Sequence, residues 1–221
     1  MDSRPTALIT GGARGIGLAL TQRLAKDYRV AISHRGPVSV LPDGVIPIRS
    51  DFTNADSIPE LSKAVIAEFG SLDLLVNNAA TFEEDNCLAV NADAPRKLLD
   101  TLVNHMPSGA SVVSISSVNA RLPAMAAPAY SASKAALDSW TRWAATVHGP
   151  TGIRVNAVAP GPVDVPDNPR PDALKKQFLD MLSLGRFATP EDIAEAVAFL
   201  ASPQAKSITG QILDVCAGYR L

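Results

Sequence analysis

Apolar residues in this chain fall into two alternating kinds of stretch. Runs such as Ala7-Leu8-Ile9, Val30-Ala31-Ile32 and Leu74-Leu75-Val76 are apolar throughout, and the segments between them space their apolar residues three and four apart. Short continuous runs fit strands buried on both faces, and a 3.6-residue period fits helices with one buried stripe. The pattern predicts strands at 7–10, 29–33, 45–49, 72–76, 110–116, 153–159 and 211–215. It predicts helices after Gly17 (Leu20, Leu24, Tyr28), over 56–69, over 92–106, through Tyr130 and Lys134 to about His148, over about 172–182, and up to about Ala201. Ser57 is the expected cap of the second helix, with Pro59 in its first turn; Thr189 caps the last, followed by Pro190 and by Asp192 at N3.

Strands alternating with helices predict an α/β fold of Rossmann type, a doubly wound parallel sheet of about seven strands with helices on both faces. Ligands in such folds bind at the carboxyl ends of the strands. The link 34–44 carries Pro37, Pro42 and two glycines, so an extended connection is expected there in place of a helix. A stretch dense in proline, 162–171, reads as a stiff loop. The chain of 221 residues is expected to form a single domain, 1–221, without internal repeats.

Composition removes several function classes. Twenty basic and 22 acidic residues are interspersed for a net charge of −2, which argues against a nucleic-acid or anionic-membrane partner. No apolar run approaches the 18 or so residues of a membrane span, and the first strand pattern begins by Thr6, leaving no room for a signal peptide. A soluble, cytoplasmic protein is expected. Cys87 and Cys216 lack metal-ligand or disulfide-framework spacing, and His34, His105 and His148 are scattered, so no metal is expected.

Candidate chemistry centres on Tyr130-Ser131-Ala132-Ser133-Lys134. At i and i+4 on a helix, phenol and ammonium share a face about 6 Å apart along the axis. The positive charge favours the tyrosine anion, and the tyrosine could exchange a proton with a carbonyl or an alcohol. The plain alternative is a packed tyrosine with a snorkelling lysine. A second signal is the glycine turn Gly11-Gly12-Ala13-Arg14-Gly15-Ile16-Gly17 between the first strand and first helix. Such glycines let backbone N–H groups approach a pyrophosphate, although a tight turn without a ligand has the same look. The second strand ends in Ser33-His34-Arg35, without the acid that usually accepts from the ribose 2′-OH of NAD. With Arg14 in the glycine turn, this favours NADP(H), NAD(H) being the other possibility.

Taken together, Thr10 to Gly17, Asn77-Asn78-Ala79-Ala80, Ser117 lying 13 residues before Tyr130, the Tyr-x-x-x-Lys pair and Pro160-Gly161 resemble the short-chain dehydrogenase/reductase family. The tail from Gly185-Arg186 through Ile208-Thr209-Gly210 to Asp214 is similar to that of the β-ketoacyl carrier protein reductases. The resemblance implies Tyr130 as general acid/base, Ser117 as the group polarising the substrate oxygen, Lys134 as ligand of the nicotinamide ribose and depressor of the tyrosine pKa, and Asn91 as support for a water relay. It implies the glycine turn at the pyrophosphate, Asp51 and Phe52 beside the adenine, Asn78, Ala79 and Ala80 along the adenosine, and Pro160, Gly161 and Val163 near the nicotinamide. The 13-residue spacing selects Ser117 over its neighbour Ser116. Thr81, Phe82, Val118, Asn119, Met125, Pro162 and Val165 are the candidate substrate pocket.

The chain departs from the family pattern in three places. The second crossover lacks its helix, residues 80–91 are shorter than usual, and Val165 stands where the family commonly has a threonine. The reading that results is an oxidoreductase, most simply an NADPH-dependent reductase of a small ketone, aldehyde or related C=O or C=N group. An NAD-dependent alcohol dehydrogenase and a catalytically silent nucleotide-sensing scaffold are the alternatives. Self-association as a homodimer or homotetramer is implied by the resemblance.

Overall fold

A computed structural model describes residues 2–38, 40–54, 56–165 and 171–220. Its centre is a parallel sheet of seven strands: β1 (Thr6–Ile9), β2 (Arg29–His34), β3 (Ile46–Arg49), β4 (Leu74–Asn77), β5 (Ser111–Ile115), β6 (Arg154–Pro160) and β7 (Ile212–Val215). The spatial order is β3-β2-β1-β4-β5-β6-β7, with the reversal between β1 and β4. In register, Leu8 lies beside both Ala31 and Leu75, and Ile9 beside Ile32 and Val76. A strand order that turns round next to β1 opens a crevice at the carboxyl ends of β1 and β4, where doubly wound proteins bind ligands.

The described residues form six α-helices, α1 (Gly15–Leu24), α2 (Ser57–Phe69), α3 (Ala94–Leu102), α4 (Pro128–His148), α5 (Asp172–Leu179) and α6 (Pro190–Ala201); all but α5, which buries no residue, pack on the sheet. Because successive strand residues face opposite ways, Ile9, Ile32, Val76 and Val158 meet α1 and α6 through Leu20, Leu24, Ile193 and Val197. Leu8, Leu75, Val112 and Val155 meet α2, α3 and α4 through Leu61, Val65, Leu98, Leu99 and Ala144. Each such side chain taken out of water stabilises the fold by roughly 1.5–3 kcal/mol before entropy is counted.

The strands and helices follow the apolar pattern, with shifts at their ends that have local causes. Ser57 is the first residue of α2 and not its cap; its hydroxyl accepts the Asp51 N–H at 3.3 Å, and Asp56 holds the cap position. The helix expected over 92–106 is preceded by a π-helical turn, Ala89–Asp93, and closes in a 3-10 turn, Val103–His105. The helix expected to run to about Leu182 stops at Leu179. At α6 the expected cap is complete: Thr189 Oγ1 accepts the Asp192 N–H at 3.2 Å, and the Asp192 carboxylate accepts the Thr189 N–H at 3.0 Å. Between β2 and β3 the described residues contain no helix, as the proline and glycine content predicted. Part of the stiff loop, Pro166 to Arg170, lies outside the described residues.

Candidate active site

Construction begins at the glycine turn. Gly11 and Gly15 have φ of +66° and +52°, the left-handed region that glycine enters without steric cost. Gly17 has a different reason: a Cβ there would stand 2.0 Å from the Gly11 carbonyl oxygen, so only hydrogen fits. Thr21 Oγ1 lies 2.9 Å from the carbonyls of both Gly12 and Gly17, and Asn78 Nδ2 donates to the carbonyls of Thr10 (2.9 Å) and Gly11 (3.1 Å). Thr10 Oγ1 in turn accepts the N–H groups of Asn78 and Ala79. The turn is thereby tied to α1 through Thr21 and to the end of β4 through Asn78. What stays open is the start of α1, which has no side-chain cap and no acid in its first turn, so its free N–H groups and positive dipole end meet the cleft uncompensated.

The cleft beside this turn is a cavity of about 450 Å³. Of the residues assigned above to a cofactor, Gly11, Arg14, Ile16, Gly17, His34, Arg35, Asp51, Phe52, Asn78, Ala79 and Ala80 line it. Ser33, Gly36, Pro37, Ser50, Thr53 and Val90 line it too, none of which the sequence singled out. Asp51 is held below the usual carboxylate range because Thr53 donates to it from its N–H (3.1 Å) and its hydroxyl (2.8 Å). The His34 ring is tied locally, Nδ1 donating to the Gly36 carbonyl at 2.8 Å. Arg14 is exposed and makes no ion pair among the described residues, whereas Arg35 lies 3.6 Å from Glu83. Uncapped helix N–H groups, a glycine admitting close approach and two guanidiniums at one cleft are a donor set that suits a dinucleotide phosphate.

Gly15, Tyr130, Lys134, Pro160, Gly161 and Val163 do not line this cavity. Gly161 is dictated by packing, since a Cβ would meet that of Cys216 at 2.8 Å, and Val163 is buried where it bridges to Ala188.

Tyr130 and Lys134 share one face of α4, the ammonium 5.7 Å from the phenol ring centroid. Lys134 is buried, 2% exposed, and its Nζ donates to the Ile115 carbonyl at 2.7 Å. Burial lowers its pKa to about 8, with the Asp138 carboxylate one turn further on opposing the fall. Ser117 Oγ accepts the Asn119 N–H at 3.1 Å, and its hydroxyl lies near enough to the Tyr130 phenol to pull that pKa downward. Its rival Ser116 is already committed, donating to Asp138. The tyrosine corrects one expectation: its pKa is raised and not depressed, because loss of water around the phenol outweighs the opposing pull of the Ser117 hydroxyl. Helical spacing brings a lysine near, but it says nothing of the desolvation that both side chains undergo together.

Asn91 is buried in the π-helical turn and does not reach the phenol. Its side chain holds both backbone groups of Thr81, at 2.8 and 2.9 Å, and donates to Ser133 Oγ at 2.9 Å. It therefore positions the short segment that follows β4. In that segment Phe82 stacks on Tyr130, ring centroids 4.1 Å apart. Among the candidate substrate residues, Thr81 and Val165 line the cavity, Val118 and Pro162 are buried, Asn119 serves Ser117 through its backbone, and Met125 is fully exposed. Asp138 and Glu83 were missed by sequence reasoning. For Asp138 the available signal was its place four residues after Lys134; Glu83 had none. Among the described residues no group of His, Cys, Asp and Glu could hold a metal ion, and no helix is long and apolar enough to cross a membrane.

A seven-stranded sheet of this order, a glycine turn at its switch point and a serine, tyrosine and lysine brought together at the end of β5 and on α4 are the arrangement of a known group, and the chain belongs to the short-chain dehydrogenase/reductase family, NAD(P)-dependent oxidoreductases acting on CH–OH or C=O groups. Residues 11–220 match the family model described as enoyl-(acyl carrier protein) reductase. Among curated proteins, the 3-oxoacyl-acyl-carrier-protein reductase FabG of Staphylococcus aureus is 34% identical, with 99% of each chain covered. The cis-4-hydroxycyclohexanecarboxylate dehydrogenase of Sinomonas cyclohexanicum is 36% identical over 96% of this chain and 95% of its own. Among solved structures, a short-chain dehydrogenase from Burkholderia cenocepacia in complex with NADP superposes with a TM-score of 0.88 at 32% identity, covering 97% of both chains.

Proposed function

We propose that the protein is an NADPH-dependent reductase of a small ketone, aldehyde or related C=O or C=N group, running in reverse as an alcohol dehydrogenase. The observation that carries this reading is the setting of Tyr130: beside the Ser117 hydroxyl, with the buried Lys134 ammonium 5.7 Å from its ring centroid, and with its pKa raised by burial. A phenol kept protonated at neutral pH is a proton donor, which is what reduction of a carbonyl requires. The bound nicotinamide supplies or accepts the hydride. Ser117, whose oxygen already accepts from Asn119, directs its own proton at the substrate oxygen and orients it toward Tyr130. Tyr130 Oη then gives its proton to that oxygen as negative charge develops. Lys134 Nζ, with a pKa of about 8, stays charged near neutrality and steadies the phenolate left behind. In oxidation the same groups work in the opposite order, Tyr130 Oη taking the alcohol proton.

The 2′-phosphate reading rests on Arg14 and Arg35 at the cleft and on the lack of an acid at the end of β2. The substrate side is mostly apolar (Phe82, Val118, Pro162, Val165) with the Asn119 amide, which suits a compact carbonyl compound. The two relatives named above handle a 3-oxoacyl group and a secondary alcohol, and we extend that class to this chain. Trp143 and Val147, exposed on α4, favour self-association, as a homodimer or a homotetramer.

The test is a parallel fluorescence titration with NADPH and NADH, followed by turnover of a carbonyl panel. Arg35→Ser is expected to weaken NADPH about ten-fold, the size of one charge-assisted phosphate contact, and to leave NADH within about two-fold. Tyr130→Phe should keep NADPH binding and lose at least about a hundred-fold in kcat. Equal weakening of both cofactors by Arg35→Ser would remove the NADPH assignment. Full activity in Tyr130→Phe would remove the mechanism.

A further inference from the structure

The short segment after β4 touches both Tyr130 on α4 and Arg35 at the cleft. The Phe82 ring covers the Tyr130 ring, centroids 4.1 Å apart and planes 17° from parallel. One residue further on, the Glu83 carboxylate lies 3.6 Å from the Arg35 guanidinium at the end of β2. Neighbouring side chains on extended backbone point to opposite sides, so two consecutive residues reach from the tyrosine to the arginine.

The segment is anchored firmly only at its root. Asn91 holds both backbone groups of Thr81, but beyond that point the ties are local: Thr81 Oγ1 accepts the Glu83 N–H at 3.1 Å, and Asn86 Nδ2 donates to Glu83 Oε2 at 3.1 Å. The Arg35 and Glu83 side chains are each 56% exposed and Phe82 is 70% exposed. An exposed ion pair is weak, and a phosphate dianion forms stronger, bidentate contacts with a guanidinium than one carboxylate does. Glu83 also puts a negative charge beside any phosphate that Arg35 holds, and like charges repel. A ribose 2′-hydroxyl, by contrast, can donate to that carboxylate.

We propose that Glu83 is a cofactor-selecting residue, and that the segment couples cofactor choice to exposure of the catalytic tyrosine. A 2′-phosphate seated on Arg35 displaces Glu83 and draws Phe82 off Tyr130; a 2′-hydroxyl leaves both in place. The inference rests on the reading that Arg35 faces the cofactor ribose. It supplies from the far side of the cleft the acid that the end of β2 lacks.

The test is a binding cycle with NADPH and NADH on the full-length protein, read by cofactor fluorescence, for the unaltered chain, Glu83→Gln, Phe82→Ala, the double variant and Arg35→Ser. Glu83→Gln is expected to tighten NADPH about three- to ten-fold without tightening NADH. Phe82→Ala, which removes no charge near Arg35, is expected to tighten NADPH about two-fold, and the double variant to fall short of the product of the two effects because both release the same segment. An unchanged NADPH-to-NADH ratio in Glu83→Gln, with Arg35→Ser still selective against NADPH, overturns the role of Glu83 and leaves the cofactor reading standing. No selectivity in Arg35→Ser overturns both. Independent, fully multiplicative effects of Phe82→Ala and Glu83→Gln overturn the coupling.

Discussion

The two rims of the cleft are held in opposite ways. On the β1 side, the glycine turn has Thr10, Thr21 and Asn78 bonded to its backbone and Gly17 pressed against Gly11. On the β4 side, residues 82–86 form an exposed stretch with one 3-10 turn, Glu84–Asn86, secured at Thr81 and touching Tyr130 and Arg35 only through side-chain tips. Phosphate recognition needs backbone groups fixed before the ligand arrives, and a segment that covers a reacting phenol has to yield. Rigidity is placed where binding calls for preorganisation, and weak contacts where something must move.

The strongest way to break this contrast is Gly17→Ala. A methyl group 2.0 Å from a carbonyl oxygen forces α1 away from the turn, so a loss of about 3 kcal/mol or more is expected, together with loss of NADPH titration. A denaturant midpoint within experimental error of the unaltered protein would show the turn to be as pliant as the opposite rim. At Phe82, whose ring is largely in water, Ala is expected to move stability by no more than about 0.5 kcal/mol.

A smaller effect, with the sign reversed, is expected at Lys134, buried on α4 against the end of β5. Its folded pKa of about 8 lies below the ordinary value of 10.5, so between those two pH values the unfolded chain holds a proton that the folded protein has released. Stability from this group is therefore lowest below pH 8 and rises through the window up to 10.5, a span worth about 3 kcal/mol gross. Lys134→Met is expected to stabilise the fold by about 1–2 kcal/mol at pH 7, the lost bond to the Ile115 carbonyl offsetting part of the gain, and to flatten that rise. Turnover should fall at least about a hundred-fold. Urea melts at pH 7 and pH 9.5 check it, and a variant less stable than the parent at pH 7 would mean that the buried ammonium is not a burden.

What the sequence made legible follows the same division. Gly11, Gly15, Gly17, Ser117, Tyr130 and Lys134 were readable because each carries a local constraint: a dihedral angle, a close approach or a fixed spacing along one element. The missing helix between β2 and β3 was readable for the same reason, in Pro37, Pro42 and two glycines. Glu83 was not, because its meaning comes from Arg35, 48 positions earlier in the chain, and a loop bridges that distance in space only. Asn91 was placed at the site, but its bonds to Thr81 and Ser133 were not readable, since a side chain's hydrogen bonds depend on which groups the fold brings to it. The raised pKa of Tyr130 was illegible because proximity of charge can be read from spacing while loss of water cannot.

Asp138 is where the smallest effect is expected. Its carboxylate is buried, accepts from Ser116 and carries a raised pKa, first because of burial. The charges facing it are Lys134 and Arg142 on α4 and Arg121 on the loop after β5, of which Arg121 is also paired with Asp214. Asp138→Asn can keep the hydrogen bond to Ser116 and removes the negative charge that supports the Lys134 ammonium. The lysine then titrates lower by about half a unit to one unit, and the basic limb of kcat/KM moves to lower pH by the same amount. At pH 7 the loss should stay under about ten-fold, and KM for the carbonyl should hardly change, because nothing touching substrate has been altered. A purely structural role predicts instead a uniform loss across pH with the limb in place. That outcome, in a variant of parental stability, would show that the ammonium is held by the Ile115 carbonyl alone.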